Sequence, residues 1–386
     1  MSLLSSDLNK KSEKYFFAGN KKVQLPSAPV FLIILMGSLG DVTRGLCLVS
    51  KIKTLFPKSS ITWLIEPKCK EAVTFHPLID NILVFDRTNW KQGLKDIFHK
   101  LRKSRFDCVL DLQRHFKSGF FSFLSGAKYR IGFHPKNTKE GNWLFNNTYI
   151  PYMDEFYPKI FHYLKFTEYL ERSQFQTRSQ PLFNSQTQTQ IQTQDLDFGF
   201  SGPGLLSLAA TVLSKVNTPF IAVVLGSTWI TKEWSCDSYS KLIHELLKTT
   251  PLHIVMVDTM AKYDMACSIE HNIKSSRLIN LVGQTSVLEL AAVLKQAETA
   301  VGPDCGSAHI ASAVGTPYVT LFGPTSPERT SPYGSEHLVV NKQIPCAPCY
   351  KKECPKKEIL CMNSIQVEDV KKKIFQAVGA GLTLLL

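Results

Sequence analysis

An apolar run, a tight turn, a series of small residues and a second apolar run follow one another between residues 298 and 322. The first run ends at Gly302, and the small residues reach Gly315, where a Gly-Thr-Pro sequence stops a helix. The order strand, turn, short helix and strand predicts a parallel β-α-β unit. Its turn presents unpaired N–H groups at a helix N-terminus, where an anion such as phosphate binds.

Similar apolar runs recur along the chain and begin two separate series. Val30–Leu35 and Phe220–Leu225 are apolar throughout, which is typical of central parallel strands buried on both faces. The chain has 386 residues, enough for two α/β domains with sizeable cores. We therefore predict an α/β fold of two Rossmann-like parallel-sheet domains that face each other across a cleft, with ligands at the carboxyl ends of the strands.

Changes in composition suggest where the domains begin and end. Residues 1–27 are polar and predict a flexible leader, and a Ser/Thr/Gln-rich excursion over 172–204 cannot build a core. The predicted order is the leader 1–27, a first domain 28–200 that includes the excursion, a second domain 205–365, and a C-terminal helix with an apolar tail 366–386.

The charge balance indicates the kind of partner. A formal net charge of +13 favours an acidic partner: nucleic acid, an anionic lipid surface or a phosphorylated substrate. The sequence lacks the RNA-binding signatures that would favour nucleic acid. No apolar leader and no run of transmembrane length are visible, so we expect a cytoplasmic protein.

A glycine-containing turn follows the first strand. Gly37 and Gly40 match neither the dinucleotide-binding pattern nor the P-loop. Asp41 then opens a helix, where it is either an N-cap or, at a strand end that faces the cleft, a general base for a sugar hydroxyl.

The first strand of the second series is followed by hydroxyl groups and a lysine. Ser227, Thr228 and Lys232 supply the donors that hold a diphosphate, or else belong to an ordinary polar loop.

The turn at residues 304–309 offers further candidates. Cys305, Gly306, Ser307 and Ala308 bring N–H groups to a bound phosphate. Asp304 would repel that phosphate, so we expect it to accept hydrogen bonds from sugar hydroxyls or to cap the helix. His309, one turn further on, is either a ligand or a hydrogen-bonded structural residue.

Four cysteines are close together near the C-terminus, at Cys346, Cys349, Cys354 and Cys361. Four thiolates could hold a structural zinc ion, although the spacing lacks paired C-x2-C knuckles. A reduced cluster packed in a loop is the alternative, and disulfides are disfavoured in the cytosol.

Several segments together, in this order, resemble glycosyltransferase family 9, the lipopolysaccharide heptosyltransferases. The matching segments are Ser38–Val42, Ile61–Glu66, His76–Asp80, Asp111–Gln113 with Lys117-Ser118, Arg130–Phe133, Gly302-x-Asp304-x-Gly306-x-x-His309, Gly315-x-Pro317 and Leu321–Thr325. Cys305 stands where the family usually has threonine, and Ser307 where it usually has leucine.

The resemblance implies a GT-B fold with the acceptor on the first domain and the nucleotide sugar on the second. It implies inverting transfer of heptose from ADP-heptose to the Kdo or heptose of the lipopolysaccharide inner core, without a catalytic metal. Asp41 stands at the position of the general base, Ser227, Thr228 and Lys232 at the diphosphate loop, and residues 304–309 at the donor loop.

The same resemblance sets the expected partners and location. They are an anionic lipid A-core acceptor and the cytoplasmic face of the inner membrane, with no nucleic acid. Two alternatives stay open: a GT-B transferase that uses another nucleotide sugar, and a non-catalytic nucleotide-binding or interaction protein.

Overall fold

The chain folds into two compact units, Met1–Gly199 and Phe200–Leu386. The computed structural model describes residues 23–379 except 89, 175–195, 201–202, 215, 217–218 and 357. Most of the predicted leader, most of the low-complexity excursion and the last seven residues of the apolar tail therefore lie outside the described residues. Among the helices in the described ranges, none is long and apolar enough to cross a bilayer.

The first unit contains a six-stranded parallel sheet with helices on its faces. Its strands are β1 (Val30–Ile34), β2 (Ser60–Ile65), β3 (Asn81–Val84), β4 (Cys108–Asp111), β5 (Tyr129–Gly132) and β6 (Thr148–Tyr149). Its helices are α1 (Leu39–Gly45), α2 (Cys47–Leu55), α3 (Lys70–Thr74), α4 (Trp90–Lys103), α5 (Phe116–Leu124) and α6 (Lys159–Gln174). The strand order is β3-β2-β1-β4-β5-β6.

The central position of β1 explains its apolar composition. Phe31 pairs with Ile61 of β2 on one side and with Cys108 of β4 on the other. Helices cover both faces of such a sheet, so residues 31–34 are all fully buried. The turn that follows β1 is thereby held at the carboxyl edge of the sheet.

The second unit has the same plan. Its strands are β7 (Phe220–Val224), β8 (His253–Val257), β9 (Leu278–Asn280), β10 (Thr299–Pro303), β11 (Tyr318–Phe322) and β12 (Val339–Asn341). Its helices are α7 (Pro203–Val212), α8 (Cys236–Thr249), α9 (Tyr263–Ile273), α10 (Val287–Gln296), α11 (Gly306–Ala313), α12 (Pro327–Thr330), α13 (Leu360–Asn363) and α14 (Val367–Val378). The strand order is β12-β11-β10-β7-β8-β9.

The two strand orders are the same when each unit is numbered from its own first strand, and both are that of the Rossmann fold. The predicted pair of parallel-sheet units is confirmed. The predicted β-α-β unit around Gly302 is confirmed as β10, α11 and β11. A capping box begins α10: the Ser286 hydroxyl accepts from the Glu289 N–H, and the Glu289 carboxylate accepts from the Ser286 N–H.

One predicted helix differs from the observed structure. The sequence predicts a continuous helix from Asp41 to about Phe56, whereas the structure has α1 and α2 separated by Leu46. Leu46 keeps helical dihedral angles, so the interruption is slight. Gly45 lies where a Cβ would come within 2.7 Å of the Leu35 side chain, so the end of α1 packs closely against the chain that follows β1.

Candidate active site

The turn after β1 places Asp41 at the carboxyl edge of the first sheet. Gln113, which follows β4, holds this turn from the neighbouring strand. Its side-chain amide donates to the Gly37 carbonyl at 2.7 Å, and its oxygen accepts from the Met36 N–H at 2.6 Å. Ser38 is the N-cap of α1, so Asp41 occupies the third helical position and the N-cap alternative is wrong.

The carboxylate of Asp41 is surrounded by hydrogen-bond donors. Arg44 donates to Oδ1 at 2.6 Å, and Lys159 and the Tyr163 hydroxyl donate to the same oxygen at 3.1 Å each. The Ser38 hydroxyl donates to Oδ2 at 3.0 Å. The side chain of Asp41 is 20% exposed. Three donors therefore fix Oδ1, whereas Oδ2 accepts from Ser38 alone among the described residues.

These neighbours determine the protonation state of Asp41. Burial alone would raise the pKa of Asp41, but the charges of Lys159 and Arg44 outweigh it and hold that pKa well below its usual range. Burial and the adjacent carboxylate both raise the pKa of Tyr163, so the phenol stays protonated and donates. Asp41 is consequently a carboxylate at every pH near neutrality.

The sequence interpretation did not identify the two partners on α6. Lys159 and Tyr163 are four residues apart, so they lie on the same face of the helix. That spacing is a signal in the sequence, but it does not indicate which carboxylate the pair contacts.

Further charges lie beside the same turn. Glu66, just after β2, accepts hydrogen bonds from Lys117 at 2.5 Å and forms an ion pair with Lys68 at 3.4 Å. Burial raises the pKa of Glu66, but the two lysines outweigh that effect and lower it overall. The Lys68 side chain is 69% exposed, so it is available to an anion in solution.

In the second unit, the loop after β7 is held by Asp258. Its carboxylate accepts from the Gly226 N–H at 2.7 Å and from the Thr259 N–H at 2.7 Å. Burial raises the pKa of Asp258, and these hydrogen bonds partly offset that rise. Ser227 is half-buried and Thr228 is exposed, and the Ser227 hydroxyl accepts from the Trp229 N–H at 3.4 Å.

Lys232 and Asp304, both predicted site residues, form an ion pair. The Lys232 ammonium lies 2.7 Å from Asp304 Oδ2 and also donates to the Asp304 carbonyl at 3.1 Å. The same ammonium lies 4.7 Å from the centre of the Trp229 ring. The side chains are only 13% and 6% exposed, respectively. The loop after β7 and the end of β10 are thus joined by a largely buried ion pair.

Threonines complete the surroundings of Asp304. The Thr325 hydroxyl donates to Oδ2 at 2.7 Å and the Thr330 hydroxyl donates to it at 3.3 Å. The N-cap of α11 is Cys305, whose side chain makes no cap hydrogen bond. Of the two alternatives for Asp304, the helix cap is therefore wrong.

The N-terminus of α11 is partly accessible. Cys305, Gly306 and Ser307 are half-buried, whereas Ala308 and His309 are buried. Burial raises the pKa of the Cys305 thiol, which lies 3.9 Å from the Tyr318 hydroxyl. The thiol is therefore neutral at physiological pH and does not repel an anion at the helix N-terminus.

The four clustered cysteines line one cavity of about 200 Å³ in the second unit. All four are free thiols, and burial raises the pKa of Cys361. As placed, no three Cys, His, Asp or Glu side chains of the described residues are close enough together to hold a metal ion. A hydrogen bond joins this segment to the loop after β7, because the Thr231 hydroxyl donates to the Lys351 carbonyl at 2.8 Å.

Comparison with known proteins identifies relatives of this chain. The curated lipopolysaccharide core heptosyltransferase OpsX of Haemophilus influenzae is 27% identical over 319 residues, covering 81% of this chain and 85% of OpsX. The solved E. coli heptosyltransferase WaaC with ADP superposes with a TM-score of 0.67 at 18% identity, covering 90% of this chain and 99% of WaaC. WaaC with ADP-2-deoxy-2-fluoro heptose gives a TM-score of 0.64 at 20% identity, with 89% and 98% covered.

These likenesses confirm the predicted GT-B fold class. The sequence model described as glycosyltransferase family 9 (heptosyltransferase) matches residues 94–360, which is more than half of the chain. The chain is therefore an enzyme that belongs to glycosyltransferase family 9, the heptosyltransferases.

Proposed function

We propose that this enzyme transfers heptose from ADP-heptose to the Kdo or heptose of the lipopolysaccharide inner core, with inversion and without a catalytic metal. The observation that carries the proposal is the environment of Asp41. One of its oxygens is fixed by three donors, and the other accepts from Ser38 at 3.0 Å. An ionised, oriented carboxylate at a strand end is suited to take a proton from a bound hydroxyl.

In the proposed reaction, Asp41 accepts the proton of the acceptor hydroxyl. The acceptor oxygen forms a bond to the anomeric carbon while the bond from that carbon to the diphosphate oxygen breaks, and ADP leaves with the electron pair. Because the pKa of Asp41 is low, it is a weak base. Proton transfer is therefore expected late, after the acceptor oxygen has begun to bond and its O–H has become more acidic.

The second unit supplies groups for the leaving diphosphate. We assign this role to Lys232, the hydroxyls of Ser227 and Thr228, and the N–H groups of residues 306–308 at the start of α11. Preorganised donors of this kind stabilise charge that develops in the transition state. Asp304 already neutralises much of the Lys232 charge, so the diphosphate shares the ammonium with this carboxylate instead of meeting a free cation.

The donor and acceptor assignments are supported by the relatives. OpsX is described as a lipopolysaccharide core heptosyltransferase, and WaaC has been solved with ADP and with a fluorinated ADP-heptose. The excess of positive charge, +13, suits an anionic glycolipid acceptor. We accordingly place the enzyme at the cytoplasmic face of the inner membrane, with no nucleic-acid partner.

The direct test is incubation with ADP-heptose and deacylated core acceptors, with product mass and anomeric configuration measured in the presence of EDTA. Addition of one heptose with inverted configuration supports the proposal. Product formed only from another nucleotide sugar would favour the first alternative, a different GT-B transferase. Absence of any product, together with a melting temperature raised by ADP, would favour a non-catalytic nucleotide-binding protein.

The cysteine cluster stays a candidate for a structural metal such as zinc. All four thiols line one cavity, but a single ion would require that they move closer together. Metal analysis of protein purified under reducing conditions tests this site. About one equivalent of metal that is lost in a Cys346→Ser/Cys349→Ser variant would support it, and metal-free wild-type protein in which the four cluster cysteines all react as free thiols would exclude it.

A further inference from the structure

An exposed aromatic surface lies on the first unit and is made of residues that have no role in the proposed reaction. We call it the aromatic platform and define it by six residues, Phe116, Phe120, Phe123, Trp143, Leu144 and Phe145. The first three lie on α5, and the last three lie on the 3-10 turn Asn142–Phe145. Phe123 is 54% exposed, Trp143 41% and Leu144 66%.

The platform is a packed structure and not a set of isolated side chains. The Phe145 ring lies 5.0 Å from that of Phe116, 6.2 Å from that of Phe120 and 6.4 Å from that of Phe123, all edge to face. Edge-to-face rings at these distances attract one another. The three rings of α5 therefore pack around Phe145 as one cluster, and Trp143 and Leu144 directly precede Phe145 in the same turn.

A buried carboxylate fixes the turn under the platform. Asp111, at the end of β4, accepts from the side-chain amide of Asn142 at 2.6 Å and from that of Asn146 at 3.1 Å. Gly119 of α5 lies so close to the turn that a Cβ there would be 2.8 Å from the Asn142 carbonyl. The structure therefore holds apolar groups in solvent on a rigid support, which is unusual unless the surface has a partner.

The segment of chain that carries the platform is mostly positive in charge. Between residues 112 and 150 the basic side chains are Arg114, Lys117, Lys128, Arg130, Lys136 and Lys139, and the one acidic side chain is Glu140. The Glu140 carboxylate lies 3.2 Å from the His115 ring and accepts from the Phe116 N–H. Lys128 and Lys136 are exposed, and the Arg130 guanidinium lies 5.7 Å from the centre of the Phe123 ring.

Aromatic rings on a segment rich in basic side chains match the headgroup region of an anionic bilayer. Rings of this type enter the boundary between headgroups and acyl chains, and lysines at the rim are attracted to anionic lipids. A second copy of this chain would carry the same positive charge on this face and would be repelled. We propose that the aromatic platform docks the enzyme on an anionic lipid surface. This inference rests on the proposed function in one respect, because a glycolipid acceptor requires an enzyme that works at a membrane.

Flotation of the full-length protein with vesicles of phosphatidylcholine and phosphatidylglycerol tests the platform. Trp143→Ser/Leu144→Ser should lower the vesicle partition coefficient by about tenfold, because the buried apolar area is lost. The matched control is Trp90→Ser/Leu206→Ser, which removes the same residue types at 55% and 54% exposure outside the platform. The control should bind vesicles like the wild-type protein.

A charge variant tests the same surface without removing apolar contacts. Lys128→Glu/Lys136→Glu should weaken binding to anionic vesicles and reduce its dependence on salt, with little change on neutral vesicles. This variant decides the question even if the Trp143/Leu144 double variant fails to fold.

The outcomes separate this inference from the proposed reaction. Transfer to a soluble deacylated acceptor should be unchanged in the Trp143/Leu144 double variant, and its loss would make the platform part of the substrate site. Unchanged vesicle binding in both platform variants, or an equal loss in the control, would overturn docking by this surface. A change in oligomeric mass by light scattering with unaltered vesicle binding would instead identify an interface between copies. Wild-type protein that binds vesicles through the platform but transfers no heptose would overturn the proposed function alone.

Discussion

The Lys159 ammonium lies 3.1 Å from Asp41 Oδ1, although 118 residues separate the two in sequence. Lys159 is the first residue of α6, and Asp41 belongs to α1. The contact fixes the orientation of the carboxylate and keeps it ionised. It also lowers the basicity of Asp41, so the residues that position the proposed base restrain its reactivity as well.

Replacing Asp41 should stop transfer without affecting the donor site. For Asp41→Asn we expect turnover to fall by about 10²- to 10⁴-fold, the usual contribution of a general base. The Kd for ADP, measured by calorimetry, should stay within about twofold, because the residues assigned to ADP belong to the second unit. Turnover close to that of the wild type would exclude Asp41 as the base.

Asp80 offers a control for the loss of an ion-paired aspartate in the same unit. Its carboxylate lies 2.9 Å from the Lys53 ammonium, and its side chain is 42% exposed. Asp80→Asn should leave turnover within a few-fold of the wild-type value. A comparable loss in both variants would point to general destabilisation instead of a role in proton transfer.

Removing Lys159 should change the pH dependence. Lys159 helps hold the pKa of Asp41 well below its usual range, so Lys159→Met should raise that pKa. In the wild type, protonation of Asp41 should not lower kcat/KM near neutral pH. In the variant, kcat/KM should begin to fall at a higher pH than in the wild type as the solution is made more acidic. Lys165→Met, which removes another ion-paired lysine of α6, should leave the profile unchanged.

The low pKa of Asp41 in the folded wild-type protein also affects stability. A carboxyl group with a depressed folded-state pKa stabilises the fold above its unfolded pKa of about 3.9, and this contribution is lost as the pH falls through the folded value. Urea unfolding should therefore show Asp41→Asn less stable than wild type at pH 7, with a smaller difference at pH 3. A difference that is constant with pH would mean that the ion pairs of Asp41 do not contribute to stability.

Local sequence patterns predicted where individual strands end and which residues follow them. The apolar runs identified β1, β7 and β10, and the residues after each of them proved to lie at the carboxyl edge of a sheet. These features depend on periodicity and turn chemistry, which neighbouring residues determine. The position of α11 after Cys305 was predictable for the same reason.

Contacts between distant segments were not predictable. The sequence interpretation placed Lys232 and Asp304 in separate roles, Lys232 as a diphosphate ligand and Asp304 as a sugar ligand or helix cap, yet they form an ion pair across 72 residues. It also omitted α6, which carries Lys159. Pairings of this kind depend on how the strands are ordered in the sheet, and one sequence read without relatives does not specify them.

The ion pair of Lys232 with Asp304 leads to a prediction about donor binding. Lys232→Ala should weaken ADP binding by about tenfold or more, since a hydrogen bond to a charged group contributes about 1.5–3 kcal/mol. Asp304→Asn should keep the Lys232 ammonium but lose the carboxylate that positions it. We therefore expect Asp304→Asn to lose less ADP affinity than Lys232→Ala, and to lose more turnover with ADP-heptose than ADP affinity.

The control for this pair is Lys241→Ala. Lys241 forms an exposed i,i+4 ion pair on α8, with side-chain exposures of 65% and 73% for Lys241 and Asp237. Its removal should leave ADP affinity unchanged, because exposed pairs contribute little. If Lys241→Ala weakens ADP binding as much as Lys232→Ala does, the overall positive charge rather than the Lys232 site holds the nucleotide.

The proposed donor site also depends on a close approach between strands. A Cβ at Gly302 of β10 would lie 2.6 Å from the Val224 carbonyl and 2.5 Å from the Tyr318 hydroxyl, so even alanine does not fit. Gly302→Ala should lower the free energy of unfolding by about 1–3 kcal/mol, the usual cost of overpacking. Gly204→Ala in α7, where a Cβ would meet nothing within 4 Å, should cause no loss. Urea unfolding checks both variants, and a Gly302→Ala variant as stable as wild type would show that β7 and β11 can move apart without cost.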